Sequence, residues 1–199
     1  QQSLGHRCQS NSQLLRSAQI CCISTVHPRL HGPDWAKTAS SIGDNYGGMK
    51  EVYIIEFDNV TAITQTSGVV TGITKASGKT FKKYALIAHT GEGDEALTAS
   101  REMGTLSNKQ TIKFPINKMT TSVRNELFLL AQNRLIFVFV DENSTNWIYG
   151  SDYGLTLTTA SAKTGKVLAD RNGYELTFEG DEKNLAYEVD DTTLATLLT

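Results

Sequence analysis

Leu135-Ile136-Phe137-Val138-Phe139-Val140 constrains the fold of this chain most, because six consecutive apolar residues leave no polar face to turn towards water. Side chains alternate across a strand, so the run predicts a strand buried on both faces. Upstream, Val123, Leu127, Leu130 and Ala131 fall at i, i+4, i+7 and i+8. That stripe predicts one short helix over 122–132, capped by Thr121 or Ser122 and ended near Asn133. A helix of this length is marginal alone and needs its stripe packed on a sheet. Downstream, Asp141 to Asn146 reads as a turn into Trp147-Ile148-Tyr149. Leu155 to Thr159 and Tyr174 to Phe178 then alternate as half-buried strands, the second opened by Asn172-Gly173.

Before this region, Glu51 to Phe57 is rich in β-branched and aromatic residues and follows Gly47-Gly48, which predicts the first strand. Ile63 to Lys75 and Thr80 to Ala88 repeat the pattern, with turns at Ser67-Gly68 and Ser77-Gly78, and the three predict a meander. His89 to Asn108 breaks the rhythm with Gly91, Gly93, Gly104 and mixed charges, and reads as a long functional or mobile loop. Strand character returns at Gln110 to Ile116, where Pro115 belongs at an edge or a strand end. About eight strands and one helix predict a mainly β fold, a two-sheet antiparallel sandwich or barrel flanked by one short helix.

The chain has 199 residues, enough for one domain with a conventional core. Residues 1–48 are Ser/Gln-rich and interrupted by Pro28 and Pro33, and their one helical hint is Leu14, Leu15, Ala18 and Cys22. They predict an extended N-terminal arm, followed by a sandwich domain over 49–190 and a tail over 191–199. The arm holds Arg7, Arg16, Arg29 and Lys37 against Asp34 and Asp44, whereas eight acids from Asp170 onward face only Arg171 and Lys183. Phosphate neutralisation by the C-terminal half is therefore not expected. No apolar run approaches the roughly 20 residues that span a bilayer, and a charged start with an apolar core, as in a secretory leader, is missing. A soluble, non-exported protein without membrane contact is the expectation.

Cys8, Cys21, Cys22, His27 and His31 invite a zinc reading, since the histidines are spaced H-x3-H. Adjacent cysteines and Pro28 spoil the ligand spacing, and unliganded arm residues are expected. Asp141 to Asp152 partly matches a calcium loop but has Asn146 where glycine belongs, so a polar turn is expected. Asn59-Val60-Thr61 and Asn143-Ser144-Thr145 are formal glycosylation acceptors. Glu92, Asp94, Glu95 and Glu102 offer paired carboxylates for glycoside cleavage, but read better as solvating charges on the 89–108 loop. Trp147, Tyr149 and Tyr153 offer a stacking platform for sugars or bases, with core or interface roles favoured. No nucleophile elbow, phosphate-cradling Gly-Lys-Ser/Thr or HExxH occurs. No catalytic residue, cofactor or metal is expected.

Three stretches carry a resemblance to a known family: Gly47-Gly48-Met49-Lys50-Glu51-Val52-Tyr53-Ile54, Arg124-Asn125-Glu126-Leu127 leading into the strand at Leu135, and Gly165 through Asp170-Arg171-Asn172-Gly173-Tyr174 to Thr177. Over residues 49–182 the chain resembles the major tail tube proteins of long-tailed bacteriophages. The resemblance implies a sandwich with one helix that assembles into rings, usually of six subunits, whose inner sheets join into a barrel. Rings stack into a tube that conducts genomic DNA without binding it specifically. It also implies that the long loop and the terminal arm touch neighbouring subunits, which here nominates His89, Glu92, Asp94, Glu95, Arg101, Glu102 and Met103, with Trp35 and Tyr46 from the arm. The implied partners are further copies of the chain and other tail proteins, in a virion tail assembled in the host cytoplasm. Another virion component, a capsid decoration or neck protein, and a carbohydrate-binding module are the rival expectations.

Overall fold

The structure, a computed structural model, describes residues 45–199. Near its start, Ser67 and Gly68 take φ of 55° and 85°, the left-handed pair that a two-residue hairpin turn requires. They fold β2 (Val60–Thr66) against β3 (Val69–Lys75). With β1 (Met49–Glu56), β4 (Lys82–Ala85), β7 (Leu135–Asp141), β8 (Asn146–Tyr149) and β11 (Tyr187–Val189), they form a seven-stranded sheet ordered β2-β3-β11-β8-β7-β1-β4. A second sheet has four strands, β5 (Glu92–Ser100), β6 (Thr105–Asn117), β9 (Thr156–Lys163) and β10 (Gly173–Glu182), in the order β5-β6-β10-β9. Every pairing is antiparallel except that of β3 with β11.

The core lies between the sheets. Val52, Ile54, Phe137 and Phe139 from the large sheet meet Ile112, Phe114, Leu176 and Phe178 from the small one, all buried. Phe178 stacks on Phe114 at 5.8 Å and tilts against Phe137 at 4.8 Å, which adds aromatic pairing to the area removed from water. The opposite face of the large sheet carries Tyr53, Ile55, Val70, Ile136, Val138 and Ile148, packed against Phe81 and Leu197. Strand β7 thus contributes to both clusters, which accounts for its unbroken apolar run.

Helix α1 (Thr121–Leu130) starts where Thr120 Oγ1 accepts from the Val123 N–H at 3.3 Å. The cap is therefore one residue earlier than Thr121 or Ser122. Leu127 and Leu130 seal one end of the main core with half-buried Val123 beside them, while Ala131 faces out. A second short helix, α2 (Asp191–Thr196), occupies the stretch read as a tail, and Leu197 just beyond it is buried. Its one turn and a half lacks a full apolar period, which is why the pattern did not announce it.

Two further expectations are corrected. There is no meander, because β1 pairs with β7 and β4 whereas β3 pairs with β2 and β11. Hairpin turns specify neighbours in sequence, but the apolar demand of β1 and β7 brings those strands together across the chain. The segment 89–108 is not a loop either. Its residues form β5 and the start of β6, a ladder running from Glu92 opposite Lys113 to Ser100 opposite Thr105. Glycines and acids lower the strand propensity of this stretch, and the cross-strand ladder overrides it. Pro115 sits past the last β5 rung, where β6 has β10 alone as a neighbour, so its missing N–H breaks no pairing on the β5 side.

Candidate assembly interface

The buried residues of β6 fix which way the small sheet faces. Ile112 and Phe114 point to the core, so Lys113, Thr111 and Lys109 point away, and directly paired residues share their face. That outward face carries five acids, Glu92, Asp94, Glu175, Glu179 and Asp181, against Lys109, Lys113 and Lys163. Hydroxyl residues such as Thr111, Thr177 and Ser161 fill between them. Each lysine holds one acid: Lys113 with Glu92 at 2.7 Å, Lys109 with Glu179 at 2.8 Å, Lys163 with Glu175 at 2.7 Å. These bonds hold the Lys113 and Lys109 amines above the ordinary lysine range and the Glu175 carboxyl below the ordinary glutamate range. Asp94 and Asp181 have no ion-pair partner among the described residues. The face is wet, crosslinked by charge, and net negative.

Both margins of this sheet are open among the described residues, β5 on one side and β9 on the other. Neither carries a proline; β5 turns Glu95 inward, and β9 is bulged opposite Thr177-Phe178 and ends in Lys163, devices that limit but do not close a free edge. Because each neighbour in the series β5, β6, β10, β9 is antiparallel to the next, β9 runs opposite to β5.

On the inner face the core ends at a polar seal. Along β6 the inward residues read Phe114, Ile112, Gln110, Asn108 and Leu106, and the two amides are buried. Glu95 Oε1 accepts from Asn108 Nδ2 at 2.6 Å, from Gln110 Nε2 at 2.9 Å and from the Ala186 N–H at 2.8 Å. Gln110 Oε1 in turn accepts from the Gly150 N–H at 2.9 Å. Beyond this seal apolar residues resume on the same face, with Leu97 52% and Leu106 59% exposed and Ala99 paired with Leu106. Strand β10 ends opposite Asn108, so the hairpin projects past the sandwich to a tip at 101–104, where Met103 is 80% exposed. At the other margin, α1 and the inner side of β9 border a groove of about 660 Å³, lined by Leu127, Phe128, Leu157, Ala160, Ala162 and Tyr174.

The residues nominated from the sequence separate into groups. Tyr46, Glu92 and Glu95 line a single cleft beside the root of β5, and Asp94 is on the outward face. Arg101, Glu102 and Met103 form the exposed hairpin tip. His89 is exposed before β5 with φ 61°, its Nδ1 3.5 Å from the Gly47 carbonyl oxygen. Trp35 and the cysteines and histidines of the arm lie outside the described residues. Glu95, expected as a solvating charge, is instead the centre of the polar seal. Leu97 and Leu106 went unnoticed, although Glu95-Leu97-Ala99 and Leu106-Asn108-Gln110-Ile112 each alternate in the manner of strands.

The three aromatics of the supposed stacking platform do not converge. Tyr149 is buried edge-on against Phe139 at 4.9 Å, whereas Tyr153 lies under the Lys183 amine, 5.0 Å from its ring centre. In the supposed calcium loop, Asp141 Oδ1 accepts from the Thr145 N–H at 2.7 Å and closes a polar turn. Among the described residues no group of three His, Cys, Asp or Glu side chains is placed to hold a metal ion, and no helix is long and apolar enough to cross a membrane. No protein-family model, curated protein or solved structure matches the chain.

Proposed function

We propose that the chain is a structural subunit of a phage-type tail tube, assembling through its four-stranded sheet into rings around a DNA-conducting channel. The observation that carries this reading is the pairing sense of that sheet. Since β9 runs opposite to β5, the β5 of a second copy added beside β9 continues the antiparallel alternation without a reversal. Such an interface is head-to-tail and closes by rotation into a ring that leaves no free edge.

Two features fit the same assembly. In a closed ring the acid-rich outward face lines the bore, and unpaired Asp94 and Asp181 there repel phosphate, so DNA passes without being held. The projecting hairpin offers Leu97, Leu106 and Met103 to the next subunit, as an exposed apolar patch at a functional contact does.

Sedimentation and negative-stain imaging of the full chain over a range of concentrations test the proposal. Rings or tubes are the expected result. A protein that sediments as a monomer throughout and gives bare grids defeats it.

A further inference from the structure

Apart from the sheet margins, the molecule has a cleft of about 390 Å³ between the root of β5 and strands β7 and β8. Its size falls in the range of small-ligand sites. Gly91 before β5 and Gly93 within it let Leu86, Met49 and Phe139 pack close to the backbone, while Glu92 and Glu95 line the cleft. A methyl group built on Gly93 would stand 3.1 Å from Phe139 Cζ and 3.4 Å from the Tyr149 hydroxyl.

The opposite wall is aromatic, made by Phe139, Trp147 and Tyr149, with Tyr46 at the mouth. The charged lining is acidic. Glu92 is held by Lys113, but no described cation comes within ion-pair distance of Glu95 or Asp141. Glu95 is fixed by three donors through Oε1 alone, and Oε2 takes no hydrogen bond among the described residues. Tyr149 is 5% exposed and lines the cleft. Burial first, and after it the charges of Glu95 and Asp94, push its phenol well above the usual tyrosine range.

The geometry points to a recognition site for an ammonium or guanidinium group carried on a flexible stem. The cation rests on the half-buried Trp147 ring, whose π face attracts it, and it is bonded by the free oxygen of Glu95 and by Asp141. A pinned carboxylate loses little freedom on binding, so its contribution is not offset by ordering. A phosphate or carboxylate ligand would meet the wrong field. The described lining residues all come from one subunit.

The test is a titration followed through the Trp147 indole N–H resonance, assigned with Trp35→Phe, using two probes that carry the same chemistry from different sources. Agmatine represents a free amine, and a capped Gly-Arg-Gly peptide represents a protein side chain. A saturable shift with either, at least about tenfold weaker for capped Gly-Gln-Gly, is the expected result. Tighter binding of the peptide assigns the site to a protein side chain, and tighter binding of agmatine to a free amine. Glu95→Gln keeps the oxygen that accepts the three hydrogen bonds and removes the charge. Asp141→Asn does the same for the turn at Thr145. Each is expected to weaken binding about tenfold or more while the folded spectrum is retained. No saturable shift below roughly 10 mM, or undiminished binding in both variants, overturns the inference.

Discussion

The two sheets of this molecule are built to opposite specifications. The middle of the seven-stranded sheet is packed on both faces, by the small sheet on one side and by Phe81 and Leu197 on the other, and its β7 is buried from Leu135 to Phe139. The four-stranded sheet is covered on one face, polar and acidic on the other, and open at both margins among the described residues. Both sheets end in edge strands without a second partner among the described residues, β2 and β4 in the large one and β5 and β9 in the small one, and the small one adds apolar side chains exposed beyond its polar seal. On the proposed assembly, the large sheet supplies most of the stability and the small one the association.

The largest effect on the subunit itself is expected at Phe137, fully buried and in contact with both Phe114 and Phe178. Phe137→Ala leaves a cavity between the sheets and is expected to cost about 3–5 kcal/mol, read from urea denaturation. A loss of less than about 1 kcal/mol would mean that the sheets do not share one core. Glu182 comes next, because its buried carboxylate accepts from the Asp152 N–H at 2.7 Å, Tyr153 at 3.1 Å and Gly154 at 3.0 Å. Glu182→Ala orphans three donors where the small sheet meets the 150–155 loop, at a cost of about 1–3 kcal/mol. Glu182→Gln retains an acceptor and should fall between the variant and the parent.

These sites also show what could be read beforehand. Strand β7, helix α1 and the Ser67-Gly68 turn were legible because periodicity and turn chemistry are local properties. Partners were not, since nothing in Glu51 to Phe57 states that β7 rather than β2 lies alongside. The acid excess after Asp170 was legible as composition, but its distribution was not. Glu175, Glu179 and Asp181 share the outward face, Glu182 is buried against a loop, and Asp170 closes a turn through the backbone N–H groups of Lys166 and Val167. One residue of register separates Asp181 from Glu182 and reverses the side to which each points. For the candidate interface, glycines and acids concealed the hairpin, and the apolar restart at Leu106 acquires meaning only once Gln110 and Asn108 are known to be buried.

Leu97→Asp and Leu106→Asp turn the comparison into a measurement. Both residues are exposed beyond the seal, so subunit stability is expected to change by no more than about 0.5 kcal/mol. Assembly, followed by sedimentation, is expected to be lost. A marked loss of stability would place these residues in the core, and unimpaired assembly would remove the hairpin from the interface.

The smallest effect concerns an edge of the large sheet, where an ion pair ties β4 to β1 as others tie β5 to β6 and β9 to β10. On β1, Glu51 is bonded by Lys83 of edge strand β4 at 2.7 Å and by the Tyr53 hydroxyl at 2.8 Å. The Lys83 bond is the main reason the Glu51 carboxyl is held below its ordinary value of 4.5, with burial opposing it and the Tyr53 bond adding to it. A carboxyl whose value falls on folding favours the native state above its ordinary value, and that contribution disappears as pH falls through the lowered one. Glu51→Gln should therefore be less stable than the parent at about pH 7, and the gap should close by about pH 3. Urea midpoints at the two pH values read it out. A gap that persists in acid would assign the role of Glu51 to packing rather than charge, and β4 would then be held by its ladder alone, unlike β5 and β9, which Lys113–Glu92 and Lys163–Glu175 tie to their neighbours.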